Sequence, residues 1–305
     1  MTSGASGYFL GVDAGSSSTK WTVLDDGGNL ISEGRSRPLD GHIYRSESLN
    51  RLNEFLLEVI SEAEGAINGI YAGITGASVI DTENQALQDV FLKYFPKTQI
   101  SIDIDVALGY RSSFKDDRGI YIYAGTGSIA IYQDQSGQLK SLGGWGYLLG
   151  DEGAGYWIGR EVLRQALFEI ESNQQTSRIR EVVQTQIPEV GRNAILKFTY
   201  ENSREEIAKL AKPLIQLAIQ GDSKACEIVS LAASHLTELA LRAEKAAGLE
   251  SSKIVFGGGI AQSGPILITA MEDSLQRPIE ISKENLSLEA AQLALEKFIA
   301  TNSKG

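Results

Sequence analysis

The chain has 305 residues, 42% of them hydrophobic, and a formal net charge of −11. This length can bury a large core and suits two domains, while the acidic balance argues against nucleic-acid or anionic-membrane binding. The single cysteine, Cys226, excludes an intramolecular disulfide and a cysteine-ligated zinc or iron–sulfur centre within one chain. The N-terminus lacks a basic region, and no later apolar run approaches the ~18 residues of a membrane span, so a soluble cytoplasmic protein is expected.

The first part of the chain reads as three strands joined by polar turns. The apolar runs Tyr8–Val12, Trp21–Leu24 and Leu30–Gly34 predict the strands. The first turn, Asp13–Thr19, is rich in hydroxyl groups, and the second, Asp25–Asn29, contains two glycines. Glycine and hydroxyl-rich turns can direct several N–H and O–H groups at one phosphate, but for one such turn alone a tight hairpin without a ligand is the favoured explanation.

The same plan recurs after residue 118. Strands are predicted at Gly119–Tyr123, Ile129–Tyr132 and Leu139–Leu142, and the turn Ala124–Ser128 joins the first two. The repetition indicates an internal duplication. Two halves that each offer a phosphate-sized hairpin predict a cleft that holds a nucleotide.

A candidate catalytic carboxylate lies between the two copies. The pattern predicts an amphipathic helix within Asn50–Ala63, a strand at Ile70–Ile74 and a strand at Gln99–Ile104. Asp105 follows the last of these at a strand-to-helix junction, where ligands meet open α/β sheets, and is the candidate general base. A helix N-cap aspartate is an equally weighted alternative. The segment Phe114–Arg118 is the predicted domain crossing.

The most informative stretch is the glycine-rich segment Ser141–Glu161. It places Trp145 and the adjacent carboxylates Asp151 and Glu152 among glycines, which gives an aromatic face and hydrogen-bond acceptors for a polyhydroxylated ligand. A capped helix start would explain one acid at this point. It does not explain the preceding Gly-Gly-Trp-Gly, so ligand binding is the favoured interpretation.

The remaining chain predicts helices around one more strand and turn. A helix containing Pro213 is expected to kink or break, and the next helix carries His235 on its apolar face, where a core position is the favoured interpretation. The strand Lys253–Phe256 leads into the third glycine-rich turn, Gly257–Gly264. A last amphipathic helix is predicted at Leu286–Ile299.

These motifs resemble the N-acetylglucosamine kinase branch of the BadF/BadG/BcrA/BcrD ATPase family, in the actin and hexokinase superfamily. Asp13–Thr19 resembles the first phosphate loop, Ala124–Ser128 the second, and Phe256–Gly259 the adenosine loop. The segment Gly143–Gly153 is similar to the sugar-binding signature of these kinases. The resemblance covers nearly the whole chain.

The resemblance assigns roles by position. Asp105 corresponds to the aspartate that takes a proton from the sugar C6 hydroxyl. The sugar site is implied to contain Ser128, Gly144, Trp145, Gly146, Asp151, Glu152, Gly76 and Asp40. Contacts to ATP are implied for Asp13, Gly15, Ser16, Ser17, Ser18, Thr19, Gly125, Thr126, Gly127, Ala208, Gly258, Gly259 and Ser263. Asp13 is also implied to hold Mg²⁺ through water.

The resemblance therefore implies an α/β fold of two actin-like, ribonuclease H-like duplicated domains with a central cleft. The expected domains are residues 1–114 and 115–305, with a last helix at about 286–300 that can pack back on the first. The implied activity is an ATP-dependent kinase acting on an amino sugar, N-acetylglucosamine first. A nucleotide-switch ATPase, a kinase for another hexose such as glucosamine or N-acetylmuramic acid, and a sugar sensor without chemistry stay open. A homodimer is compatible with the sequence.

Two positions depart from the family pattern. Its first sugar-contact loop usually carries an asparagine, whereas the comparable stretch here is Arg37–His42. A second asparagine usually follows the second phosphate turn, where this chain has Ile129. The identity of the sugar is therefore left open by the sequence.

Overall fold

The computed structural model describes residues 7–15, 18–63, 65–115, 117–174, 176–282 and 285–303, without the side chains of Asp81 and Thr82. The chain splits into two compact units. The first contains the described residues up to Lys115 and those from Asn285 onward, and the second runs from Asp117 to Ser282. Within these ranges, no helix is both long and apolar enough to cross a membrane.

Each unit contains one five-stranded mixed sheet. The strands of the described chain are β1 (Tyr8–Ala14), β2 (Thr19–Leu24), β3 (Leu30–Ser36), β4 (Ile67–Ile74), β5 (Gln99–Asp103), β6 (Ile120–Ala124), β7 (Ser128–Gln133), β8 (Leu139–Gly143), β9 (Ile254–Gly257) and β10 (Glu280–Ile281). The strand orders are β3-β2-β1-β4-β5 and β8-β7-β6-β9-β10. In both sheets three antiparallel strands precede two parallel ones, so the predicted duplication is confirmed.

The helices cover the faces of these sheets. In the described residues they are α1 (Ser46–Glu62), α2 (Gln85–Tyr94), α3 (Asp105–Ser113), α4 (Gly155–Glu171), α5 (Ile179–Gln184), α6 (Arg192–Glu201), α7 (Arg204–Ala208), α8 (Ala211–Ile219), α9 (Ser223–Ala247), α10 (Pro265–Leu275) and α11 (Leu286–Asn302). A 3₁₀ turn, Asp81–Asn84, precedes α2. The sequence pattern therefore predicted the types of the main elements, and their ends differ by a few residues.

The first sheet is packed on both faces. Helix α1 buries Leu52, Phe55 and Val59 in one hydrophobic cluster with strand residues of the sheet. The face occupied by Phe9 and Tyr71 instead packs in a second cluster with residues of helices α3 and α11. Because helices cover both faces of the sheet, its central strand carries apolar side chains on both faces.

Helix α11 returns to the first unit and packs on β1, β2 and β4. Gly11 makes this approach possible, because a Cβ there would lie 2.1 Å from the backbone nitrogen of Ala291 and 2.1 Å from the carbonyl oxygen of Ser287. The hydroxyls of Thr22 and Ser287 share a buried hydrogen bond of 2.9 Å. The last helix is thus part of the hydrophobic core of the first unit.

In the second unit, the described residues between β8 and β9 form six helices. The expected interruption near Pro213 is confirmed: α7 ends at Ala208, and α8 begins at Ala211, with Pro213 in its first turn. Proline is tolerated there because the first N–H groups of a helix have no partner within the helix. Helix α9 is the longest of the described helices and packs on β6, β7 and β8.

Candidate functional site

In the first unit, Asp105 lies where β4 and β5 end. Thr75 follows β4 directly, and its hydroxyl donates to Asp105 Oδ2 over 2.6 Å. The backbone N–H of Val106 donates to the other carboxylate oxygen over 3.0 Å. Ile104 holds the N-cap position of α3, and Asp105 is the first helical residue. The alternative interpretation of Asp105 as an N-cap is therefore wrong.

The hydroxyl of Thr75 has two acceptors and one proton. Besides the carboxylate, the carbonyl oxygen of Ala14 lies 3.1 Å from Thr75 Oγ1. A protonated Asp105 can donate to Thr75, which then donates to Ala14, so both hydrogen bonds are complete only in the acid form. Burial raises the pKa of Asp105, against the hydrogen bonds from Thr75 and Val106. The site is thus arranged to accept a proton on Asp105.

Asp13, on strand β1, is the second carboxylate of this region. Burial, followed by the negative charge of Asp105, raises the pKa of Asp13 to about 6, and the charge of Lys20 acts in the opposite direction. Within the described part of the chain, no three metal-binding side chains cluster tightly enough to hold an ion. Two neighbouring carboxylates with one lysine leave an excess of negative charge that a cation would balance.

The turn between β1 and β2 is described in part. The N–H of Gly15 donates to the carbonyl oxygen of Ser18 over 3.1 Å, which closes the turn. Ser16 and Ser17, both implied ATP contacts, lie outside the described residues. Thr19 is fully buried in β2, because it pairs with Ala14 inside the sheet. Thr19 is also an implied ATP contact.

Asp40 and Gly76 come together beside Thr75. The N–H of Gly41 donates to the carbonyl oxygen of Thr75 over 2.8 Å. Gly76 has φ of +83°, and a Cβ there would lie 3.0 Å from Asp40 Oδ1 and 2.7 Å from the ring of His42. Although burial alone would raise the pKa of Asp40, hydrogen bonds from the backbone and ring of His42 lower it. His42 is a neighbour that the family motif did not indicate.

In the second unit, the turn between β6 and β7 is held by the chain around the start of α4. The N–H groups of Gly155 and Tyr156 donate to the carbonyl oxygens of Gly125 and Thr126 over 2.8 and 3.1 Å. The N–H of Ser128 donates to Asp151 Oδ1 over 3.2 Å. These bonds fix the turn without any bound ligand.

Asp151 and Glu152 do not belong to the helix. Helix α4 begins at Gly155, and its N-cap is Ala154, whose side chain makes no cap bond. Asp151 is left-handed, with φ of 63°. Burial raises its pKa, against the hydrogen bond from Ser128 and the charge of Arg204. The capped-helix alternative for these acids is therefore wrong, and Asp151 instead buttresses the second turn.

The implied adenosine-loop residues gather next to that turn. A Cβ on Gly258, where φ is +92°, would lie 2.4 Å from the carbonyl oxygen of Ala124. The hydroxyl of Ser263 donates to the carbonyl oxygen of Gly259 over 2.7 Å. Ala208 reaches the same region, since a Cβ on Gly155 would lie 3.2 Å from the Ala208 Cβ. The structure thus brings together residues that are far apart in the sequence.

A cavity of about 260 Å³ lies next to residues 143–152 of the second unit, which contain Trp145 and are called the tryptophan loop. The loop and turn contribute Ser128, Gly143, Trp145, Gly150, Asp151 and Glu152, and helix α9 contributes His235, Glu238, Leu239 and Arg242. Gly144 has φ of +66°, and a Cβ there would lie 2.8 Å from the side chain of Ile129, whereas Gly146 has φ of +83° and nothing lies within 4 Å of its Cβ position. The wall from α9 is new relative to the sequence analysis.

His235 was expected in the core, but it is half-buried and lines this cavity. Its ring meets Trp157 of α4 edge-on, with centroids 5.2 Å apart. Sequence reasoning missed Glu238 and Arg242 because polar residues on one helix stripe are normally a solvated face. Their spacing from His235 was the available signal.

Comparisons with known proteins agree with this geometry. Residues 10–286 match the family model described as the BadF/BadG/BcrA/BcrD ATPase family. An N-acetylmuramic acid/N-acetylglucosamine kinase of Clostridium acetobutylicum is 23% identical over 262 residues, which cover 83% of this chain and 85% of the relative. An N-acetyl-D-glucosamine kinase of Dictyostelium discoideum is 25% identical over 279 residues, with coverages of 84% and 86%.

Solved structures share the fold. A candidate N-acetylglucosamine kinase from Chromobacterium violaceum has a TM-score of 0.75 at 20% identity, covering 94% of this chain and 98% of that one. A glucokinase of the ROK family from Streptomyces griseus, in complex with glucose and AMPPNP, has a TM-score of 0.57 at 15% identity, with coverages of 95% and 100%. The predicted α/β, actin-like fold class is thereby confirmed.

Proposed function

Because the chain belongs to the BadF/BadG/BcrA/BcrD ATPase family, we propose that it is an ATP-dependent kinase that phosphorylates the C6 hydroxyl of an amino sugar, N-acetylglucosamine first. The observation that carries the proposal is the half-buried Asp105 carboxylate, held by Thr75 and Val106 at the end of two parallel strands. The names of the two curated relatives, both amino-sugar kinases, support the same substrate class.

In this proposal Asp105 is the general base. It accepts the proton of the attacking hydroxyl, and general-base groups of this kind contribute about 10²–10⁴-fold to the rate. Thr75 positions the carboxylate and, once the proton has been transferred, can accept a hydrogen bond from it while donating to Ala14. The raised pKa of Asp105, caused mainly by burial, favours that proton transfer.

The family also implies Mg²⁺, and the residues present fit it. Mg²⁺ commonly takes one or two carboxylates, with phosphate oxygens and waters as its other ligands. Asp13 supplies such a carboxylate, and the excess negative charge that it shares with Asp105 suits a cation. When bound, Mg²⁺ neutralises charge on the transferring phosphoryl group. Asp13 would hold it through water.

ATP is proposed to contact the glycine and hydroxyl-rich turns. The phosphates are assigned to backbone and hydroxyl groups of Gly15, Ser16, Ser17, Ser18, Gly125, Thr126 and Gly127. Ala208, Gly258, Gly259 and Ser263 are assigned to the nucleoside, because they cluster beside Ala124 and Gly155. Converging N–H groups bind anions in such turns without a lysine.

The sugar is proposed to contact the loop of the second unit. Trp145, whose side chain is 58% exposed, provides an aromatic face, and Asp151 and Glu152 provide acceptors for hydroxyl groups. Ser128, Gly144 and Gly146 complete this group. Gly76 and Asp40 are the proposed contacts from the first unit, beside the general base.

A coupled ADP-release assay tests the proposal. Purified protein is given Mg·ATP and, in turn, N-acetylglucosamine, glucosamine, N-acetylmannosamine, N-acetylmuramic acid and glucose. We expect at least one amino sugar to stimulate ADP release strongly over basal hydrolysis. Steady ATP hydrolysis that no sugar changes would contradict the kinase and favour a nucleotide-switch ATPase with a protein partner.

A further inference from the structure

One stripe of helix α9 carries three polar side chains into the cavity of the second unit. His235, Glu238 and Arg242 are three and four residues apart, which places them on one face of the helix. With Leu239 they form the wall opposite the tryptophan loop. The buried side of α9 packs on the second sheet, so the sheet fixes the position of this wall.

Arg242 is directed at Trp145. Its guanidinium lies over the indole ring, 5.5 Å from the ring centroid. Glu238 precedes Arg242 by four residues, in the order that favours an ion pair on a helix. Among the described residues Arg242 forms no ion pair, and its contact is with the ring. A cation over an aromatic face restrains a side chain that is otherwise 58% exposed.

The charges around the cavity are unequal. Three carboxylates line it, from Asp151, Glu152 and Glu238, against the single guanidinium of Arg242. A carboxylate on a ligand would therefore meet more like charges than opposite ones. A sugar bearing hydroxyl, amide or ammonium groups can donate to these acceptors instead. The cavity charges thus favour a neutral or cationic sugar over one that carries a carboxylate.

Building on the proposed sugar site, we propose that Glu238 and Arg242 determine the sugar specificity of this chain. Arg242 is a positioning residue that holds the ring of Trp145 as a platform for the sugar. Glu238, together with Asp151 and Glu152, excludes amino sugars that carry a carboxylate and admits neutral or ammonium-bearing ones. The substrate class is accordingly narrower than that of the N-acetylmuramic acid/N-acetylglucosamine kinase of Clostridium acetobutylicum.

The first test compares kcat/KM of the intact protein for N-acetylglucosamine, glucosamine and N-acetylmuramic acid. We expect the better of the two uncharged or cationic sugars to exceed N-acetylmuramic acid by about 5- to 25-fold at low salt, since each of the two carboxylates in excess over Arg242 contributes up to about fivefold. Added salt reduces this ratio. Equal efficiency for N-acetylmuramic acid would overturn the proposal.

Variants of Glu238 and Arg242 should change the ratio of kcat/KM values in opposite directions. Glu238→Gln should reduce the ratio about three- to fivefold by removing one repelling charge. Arg242→Leu should raise KM for every sugar about three- to tenfold, leave KM for ATP unchanged and increase the ratio, because the guanidinium that lines the cavity is lost. Arg242→Lys should restore part of the affinity. Glu227→Gln, an exposed carboxylate of α9 outside the cavity, is the matched control.

Sugar binding is also measured without turnover. Of the three tryptophans, Trp21 and Trp157 are buried and Trp145 is exposed, so quenching of fluorescence by a sugar that disappears in Trp145→Phe reports on Trp145. If neutral or cationic sugars selectively quench the fluorescence but are not phosphorylated, the kinase proposal is wrong and the specificity proposal stands. If the protein phosphorylates sugars but Glu238→Gln leaves the ratio of kcat/KM values unchanged, the specificity proposal is wrong and the kinase proposal stands. Absence of both binding and turnover would reject both.

Discussion

At the residue scale, Asp105 carries the proposed chemistry. Asp105→Asn keeps the shape of the side chain and removes its capacity to take a proton, so kcat should fall about 10²–10⁴-fold. The affinity for ATP, measured by titration calorimetry, should change little because Asp105 is proposed to contact the sugar hydroxyl and not the nucleotide. A variant with near-normal turnover would remove Asp105 from the role of general base.

Asp13 gives a second prediction at this scale, on stability. Its pKa is about 6 in the folded chain against an ordinary value of 3.8, so the folded state binds more protons between these values. The free energy of unfolding therefore falls as pH rises from about 4 to about 6. Asp13→Asn should stabilise the protein by about 1–2 kcal/mol at pH 7.5, allowing for partial solvent screening, and should lower kinase activity.

Denaturant unfolding of wild type and Asp13→Asn at pH 4.5 and 7.5 measures this effect. The increase in the free energy of unfolding of Asp13→Asn over wild type should be larger at pH 7.5, where the wild-type carboxylate is ionised, than at pH 4.5, where it is mostly protonated. An equal change at both pH values would show that charge at Asp13 is not the cause. A destabilised Asp13→Asn would contradict the account directly.

At the element scale, the turn after β9 depends on one glycine. Gly258 has φ of +92°, and a Cβ there would lie 2.4 Å from the carbonyl oxygen of Ala124. Gly258→Ala should therefore destabilise the protein by about 1–3 kcal/mol, through both backbone strain and the clash. Gly259→Ala is the matched stability control, because nothing lies within 4 Å of its Cβ position. Thermal unfolding measures both variants, and equal decreases of Tm for Gly258→Ala and Gly259→Ala would contradict this explanation.

The elements also show what sequence could predict. Alternating apolar runs and repeated turns were sufficient for both sheets, because strand type depends on local pattern and the duplication repeats it. The left-handed Asp151 and the position of Asp105 within α3 were not predictable, since they depend on Ser128 and Thr75 elsewhere in the chain. Helix geometry placed Arg242 on a polar stripe, but only tertiary packing brought it to Trp145.

At the scale of the whole molecule, the C-terminal helix completes the first unit. Helix α11 buries Ala290, Ala291 and Ala294 against strands that begin near the N-terminus. A chain that ends at Ser282 should therefore lose cooperative unfolding of its first unit and become sensitive to protease there. A chain that ends at Asn302, with α11 intact, should behave as wild type. Limited proteolysis with mass spectrometry distinguishes the two, and a resistant short chain would contradict this packing role.

The central claim is that ATP donates a phosphoryl group to an amino-sugar hydroxyl. The most direct test is to incubate the protein with Mg·ATP and N-acetylglucosamine and to identify the product by mass spectrometry and phosphorus–proton correlated NMR. We expect an amino-sugar monophosphate esterified at O6, formed in equal amount to ADP, and no product from the 6-deoxy sugar. ADP formed without any phosphorylated sugar, across the panel of amino sugars, would contradict it.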